Sequence, residues 1–240
     1  DRVSLRIPAG GTLGVVGRVG SGKSTLARLV ARLREADRGQ VLIDGVDVRE
    51  LPLSTLRDAI GYVPQDSFLF SDTLRANIAL GLDEDDERSA EPGSVSAGPG
   101  RVEWASEASR LSADLEDMPA GLETVVGERG ITLSGGQRQR TALARALVRN
   151  PAILILDDAL ASVDARTEAQ ILEQLHEIAA SRTTILISHR LSTVREADQI
   201  IVLDDGRIVE AGTHDQLVAG GGTYAGIHRR QTLTSELDEI

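Results

Sequence analysis

The chain has 240 residues, of which 41% are hydrophobic, enough apolar mass for one large α/β domain or two small ones. A formal net charge of −11 excludes a general nucleic-acid surface, which needs a basic patch, and the absence of cysteine excludes a disulfide framework and thiolate chemistry. No apolar run approaches the roughly 20 residues of a membrane span, and no signal peptide opens the sequence, so any membrane link is expected through a partner or a segment outside this stretch.

Val3 to Ile7 alternates and predicts a strand; Pro8-Ala9-Gly10-Gly11 turns it into a second strand, Thr12 to Val16. Then comes Gly17-Arg18-Val19-Gly20-Ser21-Gly22-Lys23-Ser24-Thr25, which fills every fixed position of the phosphate-binding pattern G-x-x-x-x-G-K-[ST]. Leu26, Leu29, Val30 and Leu33 recur at helical spacing behind it. Strand, glycine loop and helix is the order the chemistry needs. Gly17, Gly20 and Gly22 let the backbone approach phosphate oxygens. The N–H groups from Ser21 to Thr25 form an anion nest at a helix N-terminus. Lys23 is the chain's only lysine, a compact point charge in a sequence that otherwise uses Arg. It reaches the β- and γ-phosphates, and the Ser24 hydroxyl is placed to ligate Mg²⁺.

Val41-Leu42-Ile43 before Asp44-Gly45 predicts a hairpin start, Ile60 to Val63 a short strand ended by Pro64 and Gln65, and Leu74 to Leu80 a helix. Residues 83–101 are acidic and then rich in Gly, Ser, Pro and Ala, which predicts a flexible surface insert. Helical patterns follow at Val102 to Leu115, Gly135 to Val148 and Thr167 to Ala180. Between them Ile153 to Leu156 is an unbroken apolar run ending in Asp157-Asp158, the pattern of a strand buried on both faces. Thr184 to Ile187 is another such strand, ending at Ser188-His189. Ile200 to Leu203 and Arg207 to Glu210 flank the hairpin signal Asp204-Asp205-Gly206. His214 to Ala219 and Thr223 to Arg230 predict short terminal helices, and the polar tail from 232 to 240 is expected to fray. Alternating strands and helices predict an α/β fold with a mostly parallel core.

The strand ending at Asp157 places a carboxylate at the carboxyl edge of the sheet, where it can hold Mg²⁺. Asp158 could polarise an attacking water, Gln65 could sense Mg²⁺ and that water, and His189 could reach the γ-phosphate. Leu133-Ser134-Gly135-Gly136-Gln137 opens a helix as a second anion site, with Ser134 supplying a hydroxyl and the glycines clearing the way for backbone N–H groups.

With these motifs in this order, the chain resembles the nucleotide-binding domain of an ABC transporter. The resemblance implies a RecA-like P-loop core with a mostly parallel sheet, an N-terminal antiparallel β part and a helical subdomain. It divides the chain into a core at 1–65 and 150–231 and a helical subdomain at 66–149. It makes Asp157 the Walker B carboxylate and magnesium partner with Ser24 and Gln65, Asp158 and His189 catalytic with Gln65, and Asp164 of Ala161-Ser162-Val163-Asp164 the D-loop aspartate. Ser134, Gly135, Gly136 and Gln137 become the signature that meets ATP in trans, because two such domains close head to tail. Val63-Pro64-Gln65-Asp66 through Phe68-Leu69-Phe70, and Thr124 to Gly130 around Glu128, are similar to exporter-type domains, in which these stretches contact the transmembrane domains. The implied cofactors are ATP and Mg²⁺, and the implied place is the cytoplasmic face of the cell membrane.

Two departures from the family pattern carry expectations. No aromatic residue stands upstream of the first strand to stack on adenine, which suggests a stretch of a longer polypeptide. The residue after the Walker B aspartate is Asp158 where the family has Glu. That substitution favours an alternative to the hydrolysing motor: a regulatory, hydrolysis-poor half of a heterodimeric exporter, whose second nucleotide-binding domain is a non-identical chain. An ABC-type ATPase of DNA repair is disfavoured by the short insert and the charge, and an importer by the stretch around Glu128.

Overall fold

The computed structural model describes residues 3–80, 82, 100–127, 132–179 and 182–238. In chain order its elements are β1 (Thr12–Gly17), α1 (Lys23–Val30), β2 (Leu42–Ile43), β3 (Val46–Asp47), α2 (Leu53–Ala59), β4 (Ile60–Val63) and α3 (Leu74–Ile78). There follow α4 (Arg101–Ala108), α5 (Ser112–Leu115), a 3₁₀ turn (Gly121–Glu123), α6 (Gly135–Leu147), β5 (Ile153–Asp157) and α7 (Ala165–Ala179). The chain finishes with β6 (Thr183–Ile187), α8 (Leu191–Val194), β7 (Gln199–Asp204), β8 (Arg207–Gly212), α9 (His214–Ala219) and α10 (Thr223–Asp238). They form two compact units, residues 1–60, 153–158 and 179–240, and residues 61–152 and 159–178.

In the first unit the strand order is β5-β6-β1-β7-β8. The pairs β5/β6, β6/β1 and β1/β7 are parallel, with Leu13 level with Ile185 on one side and Gln199 on the other. β7 and β8 are antiparallel. Their turn places Asp205 at φ 46 and Gly206 at φ 72, the left-handed pair that a two-residue hairpin turn demands. Leu13, Val15, Val16, Leu154, Ile155, Ile185, Ile200 and Ile201 are buried, as expected of parallel strands covered on both faces. β2 and β3 form a small antiparallel hairpin around Asp44-Gly45. The parallel register sets the chemistry: β1 ends at Gly17, β5 at Asp157 and β6 at Ile187, so the residues that follow share one carboxyl edge of the sheet.

The second unit is mostly helical. Leu74, Met118, Val126 and Leu133 make a buried cluster, with Leu69, Leu115 and Leu122 packed on it. Arg145 of α6 ties this unit together. Its guanidinium donates to the Asn77 carbonyl at 2.7 Å, to Asn77 Oδ1 at 2.9 Å and to the Phe68 carbonyl at 2.9 Å. Burial pushes the Arg145 guanidinium below its ordinary range.

Several expectations are corrected. Val3 to Ile7 keeps its alternation of half-buried and exposed residues but belongs to no strand. Alternation records which side is covered, whereas a strand needs a hydrogen-bonded neighbour. A cavity of about 580 Å³ opens where Ser4 and Leu5 face Gln199, Ile201, Arg207 and Ile208. Val102 to Leu115 is two helices, not one: Arg110 turns to φ 59, and the Leu111 N–H closes back on the Ser106 carbonyl at 2.8 Å. Arg101, placed at the end of the insert, is the first residue of α4; residues 83–99 of that insert and Glu128 lie outside the described residues. The polar tail from 232 is helical, because α10 continues to Asp238. Within it the Thr232 and Thr234 hydroxyls donate back to the His228 and Arg230 carbonyls.

Candidate functional site

The loop after β1 is shaped by three glycines at positive φ. Gly17 sits at φ 151, and a Cβ there would run into the Leu203 carbonyl and come within 2.8 Å of Ser21 Oγ. Gly20 at φ 82 has open space around it, and Gly22 at φ 102 is the N-cap of α1 with no capping side chain. The first N–H groups of α1 therefore face outward without a side-chain acceptor, as an anion nest requires. The Gly206 N–H donates to the Ser21 carbonyl at 3.0 Å and steadies the loop from the β7–β8 turn. Ser21 is buried, and its Oγ has no hydrogen-bond partner among the described residues.

Lys23 curls over this loop. Its ammonium donates to the Gly17 and Arg18 carbonyls, each at 2.9 Å. Burial pushes it below the ordinary lysine range, and the carboxylates of Asp158 and Asp157 pull the other way. Ser24 Oγ donates to Asp157 Oδ1 at 2.9 Å. Asp157 is buried at the end of β5, so two hard oxygen donors are paired at the foot of the loop. Thr25 continues α1 as a half-buried residue.

Asp158 follows at φ 53, a left-handed conformation that Asp tolerates better than most side chains. Its N–H donates to the Ile187 carbonyl at 2.8 Å, which fixes the backbone. Its two carboxylate oxygens each lie 2.8 Å from His189 Nδ1. Asp158 is mostly buried, whereas 57% of the His189 side chain is exposed. The first unit thus gathers the glycine loop, Lys23, Ser24, Asp157, Asp158 and His189.

The remaining sequence-predicted residues lie in the second unit. Gln65 is exposed just after β4. Ser134 is the N-cap of α6 in a reciprocal capping box: its Oγ accepts from the Gln137 N–H, and Gln137 Oε1 accepts from the Ser134 N–H. Gly135 and Gly136 allow a close approach to Ser162, because a Cβ at either would come within 3.0 Å of Ser162 Cβ or its carbonyl oxygen. Gln139 adds a bond from the Ser162 N–H at 2.8 Å. Asp164 stands before α7 and accepts from the Thr167 N–H at 2.9 Å; that bond holds its carboxyl below the ordinary range. The capping box was legible in the Ser134-x-x-Gln137 spacing, although the pentapeptide was read only for its anion site. Nothing in the sequence pointed to Gln139 or Arg145.

The ABC transporter family profile matches residues 1–161. The chain belongs to the ABC transporter family. This ABC domain is 48% identical over 240 residues to an "ATP-dependent lipid A-core flippase" of Methylococcus capsulatus, covering 100% of this chain and 38% of that protein. It is 45% identical over 229 residues to the protein of the same description from Photobacterium profundum, covering 95% of this chain and 37% of that one. Among solved structures it superposes on a bacterial Atm1-family ABC exporter with ATP bound, with a TM-score of 0.82 and 43% identity over 93% of this chain and 37% of the other. The chain therefore spans less than two fifths of the length of these relatives. The resemblance read from the motifs is borne out at the level of family and fold, and the ABC domain here is the ATP-binding one.

Proposed function

We propose that this domain is the ATP-hydrolysing motor of an ABC exporter at the cytoplasmic face of a membrane. The observation that carries the reading is the Ser24–Asp157 bond of 2.9 Å beneath a loop whose lysine is held by two of the loop's own carbonyls. Those oxygens suit Mg²⁺, and the N–H groups at the start of α1 with Lys23 suit the β- and γ-phosphates of ATP. Mg²⁺ held by Ser24 and Asp157 would supply neutralisation of phosphate charge, and Gln65 is assigned to Mg²⁺ on the family resemblance alone. Asp158 orients the attacking water, and His189 supports Asp158 and reaches the γ-phosphate side. Gly17, Gly20, Ser21, Gly22 and Thr25 complete the nucleotide cradle.

Ser134, Gly135, Gly136 and Gln137 serve the ATP of a second nucleotide-binding domain, with Asp164 in the same junction. Phe68 and Phe70 support contact with transmembrane domains. They meet edge to face at 5.0 Å and are 67% and 49% exposed, and Phe70 lines a cavity of about 390 Å³ with Asn77 and Leu80. The lipid A-core flippase description of the relatives makes an amphipathic lipid the first substrate class to test.

Mixing variants tests the head-to-tail reading. A Ser134→Arg chain should still bind MgATP as a monomer yet fail to close around it. Mixed with a Lys23→Ala chain it should recover at most one composite site. Loss of monomer nucleotide binding in Ser134→Arg would contradict the arrangement.

A further inference from the structure

The loop that carries His189 is held by a side chain from the far end of the chain. Gln231 of α10 donates from Nε2 to the His189 carbonyl at 2.6 Å and accepts at Oε1 from the Leu191 N–H at 2.9 Å. One planar amide thus brackets the backbone on both sides of Arg190. Leu191 opens α8, whose N-cap Arg190 does not cap the helix with its side chain, so the Leu191 N–H is one of the donors a helix start leaves over. On the opposite side Ser188 Oγ accepts from the Arg190 N–H at 3.0 Å and bonds Thr193 Oγ1 at 3.1 Å. Gln231 itself is set by an anchored helix. Glu210 accepts from the N–H groups of Thr223 and Tyr224 at the start of α10, and Tyr224 is wholly buried.

The His189 imidazole is more than half exposed, and its bond to Asp158 depends on where the backbone holds it. We infer that Gln231 is a positioning residue for ATP hydrolysis: it fixes the His189 backbone so that Nδ1 stays 2.8 Å from the Asp158 carboxylate. The inference rests on the roles proposed above for Asp158 and His189. Gln231 bonds the loop backbone on both sides of Arg190, so it acts through the loop. Loosening a catalytic group by about 1 Å costs up to ~10²-fold, and Ser188 retains part of the restraint, so the expected loss is about tenfold.

The test uses Gln231→Leu and Gln231→Glu, each alone and in a His189→Ala background. ATPase rates are measured against ATP concentration, and hydrogen exchange is followed at the Leu191 amide. Gln231→Leu should lower kcat about tenfold, leave KM for ATP within about twofold, and speed Leu191 exchange at least tenfold. Gln231→Glu can still accept from the Leu191 N–H but cannot donate to the His189 carbonyl. It should keep Leu191 more protected than the leucine variant does, yet still lower kcat, because its carboxylate repels the His189 carbonyl that Gln231 holds. In the His189→Ala background Gln231→Leu should change kcat no further. Equal losses in both backgrounds, or an unchanged kcat despite fast Leu191 exchange, would overturn the inference. So would unchanged Leu191 exchange in Gln231→Leu. A His189→Ala chain with unaltered kcat would instead overturn the site reading beneath it, and Leu191 exchange would still report whether Gln231 holds the loop.

Discussion

Replacing Asp158 by Glu sets a gain in catalysis against a cost in backbone strain. The Asp158 backbone is fixed by its N–H bond to Ile187 and by φ 53, and its carboxylate already ends on His189. A glutamate on the same backbone carries its carboxylate roughly one carbon–carbon bond farther out, ~1.5 Å. Positioning catalysis changes by up to ~10²-fold for about 1 Å, so Asp158→Glu should raise kcat by as much as that. KM for ATP should hold, since Lys23, Ser24 and the glycine loop are untouched. The left-handed backbone costs a glutamate about 1 kcal/mol that an aspartate largely avoids, which lowers Tm by roughly 2–4 °C in a chain of this size. The assay pairs ATPase rates, at protein concentrations that allow dimerisation, with thermal melts. If the unmodified chain already hydrolyses ATP at ordinary rates and Glu adds nothing, the reasoning that a short carboxylate impairs this site fails, and with it the heterodimer expectation.

Arg145→Met should destabilise the second unit by about 2 kcal/mol, because the buried Asn77 loses its charged donor; a denaturant midpoint within error of the parent would contradict this. His214 predicts a pH effect. Burial, helped by Arg195 and His228 and opposed by Asp215 and Glu196, holds its imidazolium below the ordinary histidine range, and Nδ1 lies 2.8 Å from the Tyr224 hydroxyl. Burial pushes that hydroxyl up to about 12, so a neutral phenol pairs with a neutral His214. The unfolded chain therefore binds the proton more readily. This contribution is full above the unfolded value of roughly 6.5 and is lost as pH falls through the lowered folded value. Tm should drop between pH 7.5 and 5.5, and His214→Gln should flatten part of the drop; identical slopes would refute the assignment.

Much of the first unit was legible because its signals are local and short in range. The apolar runs at Thr12 to Val16, Ile153 to Leu156 and Thr184 to Ile187 could only be buried strands, and their polar ends placed Lys23, Asp157, Asp158 and His189 at one edge. What escaped was set by distant partners. Gln231 and His189 are far apart in sequence, and no periodicity links a glutamine on one helix to a loop before another. α2 and α8 are too short for a repeating face: α2 buries only Leu56, and α8 is a single turn. Val3 to Ile7 shows the converse error, an alternation that is real without a strand. The Arg110 break inside an apparently continuous helix went unseen because a left-handed arginine carries no composition cue.

The most direct test of the account is a calorimetric titration of MgATP into the unmodified chain and into Lys23→Ala. The Lys23 ammonium is the one side-chain cation assigned to the β- and γ-phosphates, held over the glycine loop by the Gly17 and Arg18 carbonyls. The account predicts measurable binding by the parent and a loss of at least tenfold in affinity in the variant, about 1.4 kcal/mol or more, with the melting curve of the nucleotide-free protein little changed. Equal affinity in the two chains would contradict it and remove the nucleotide from this loop.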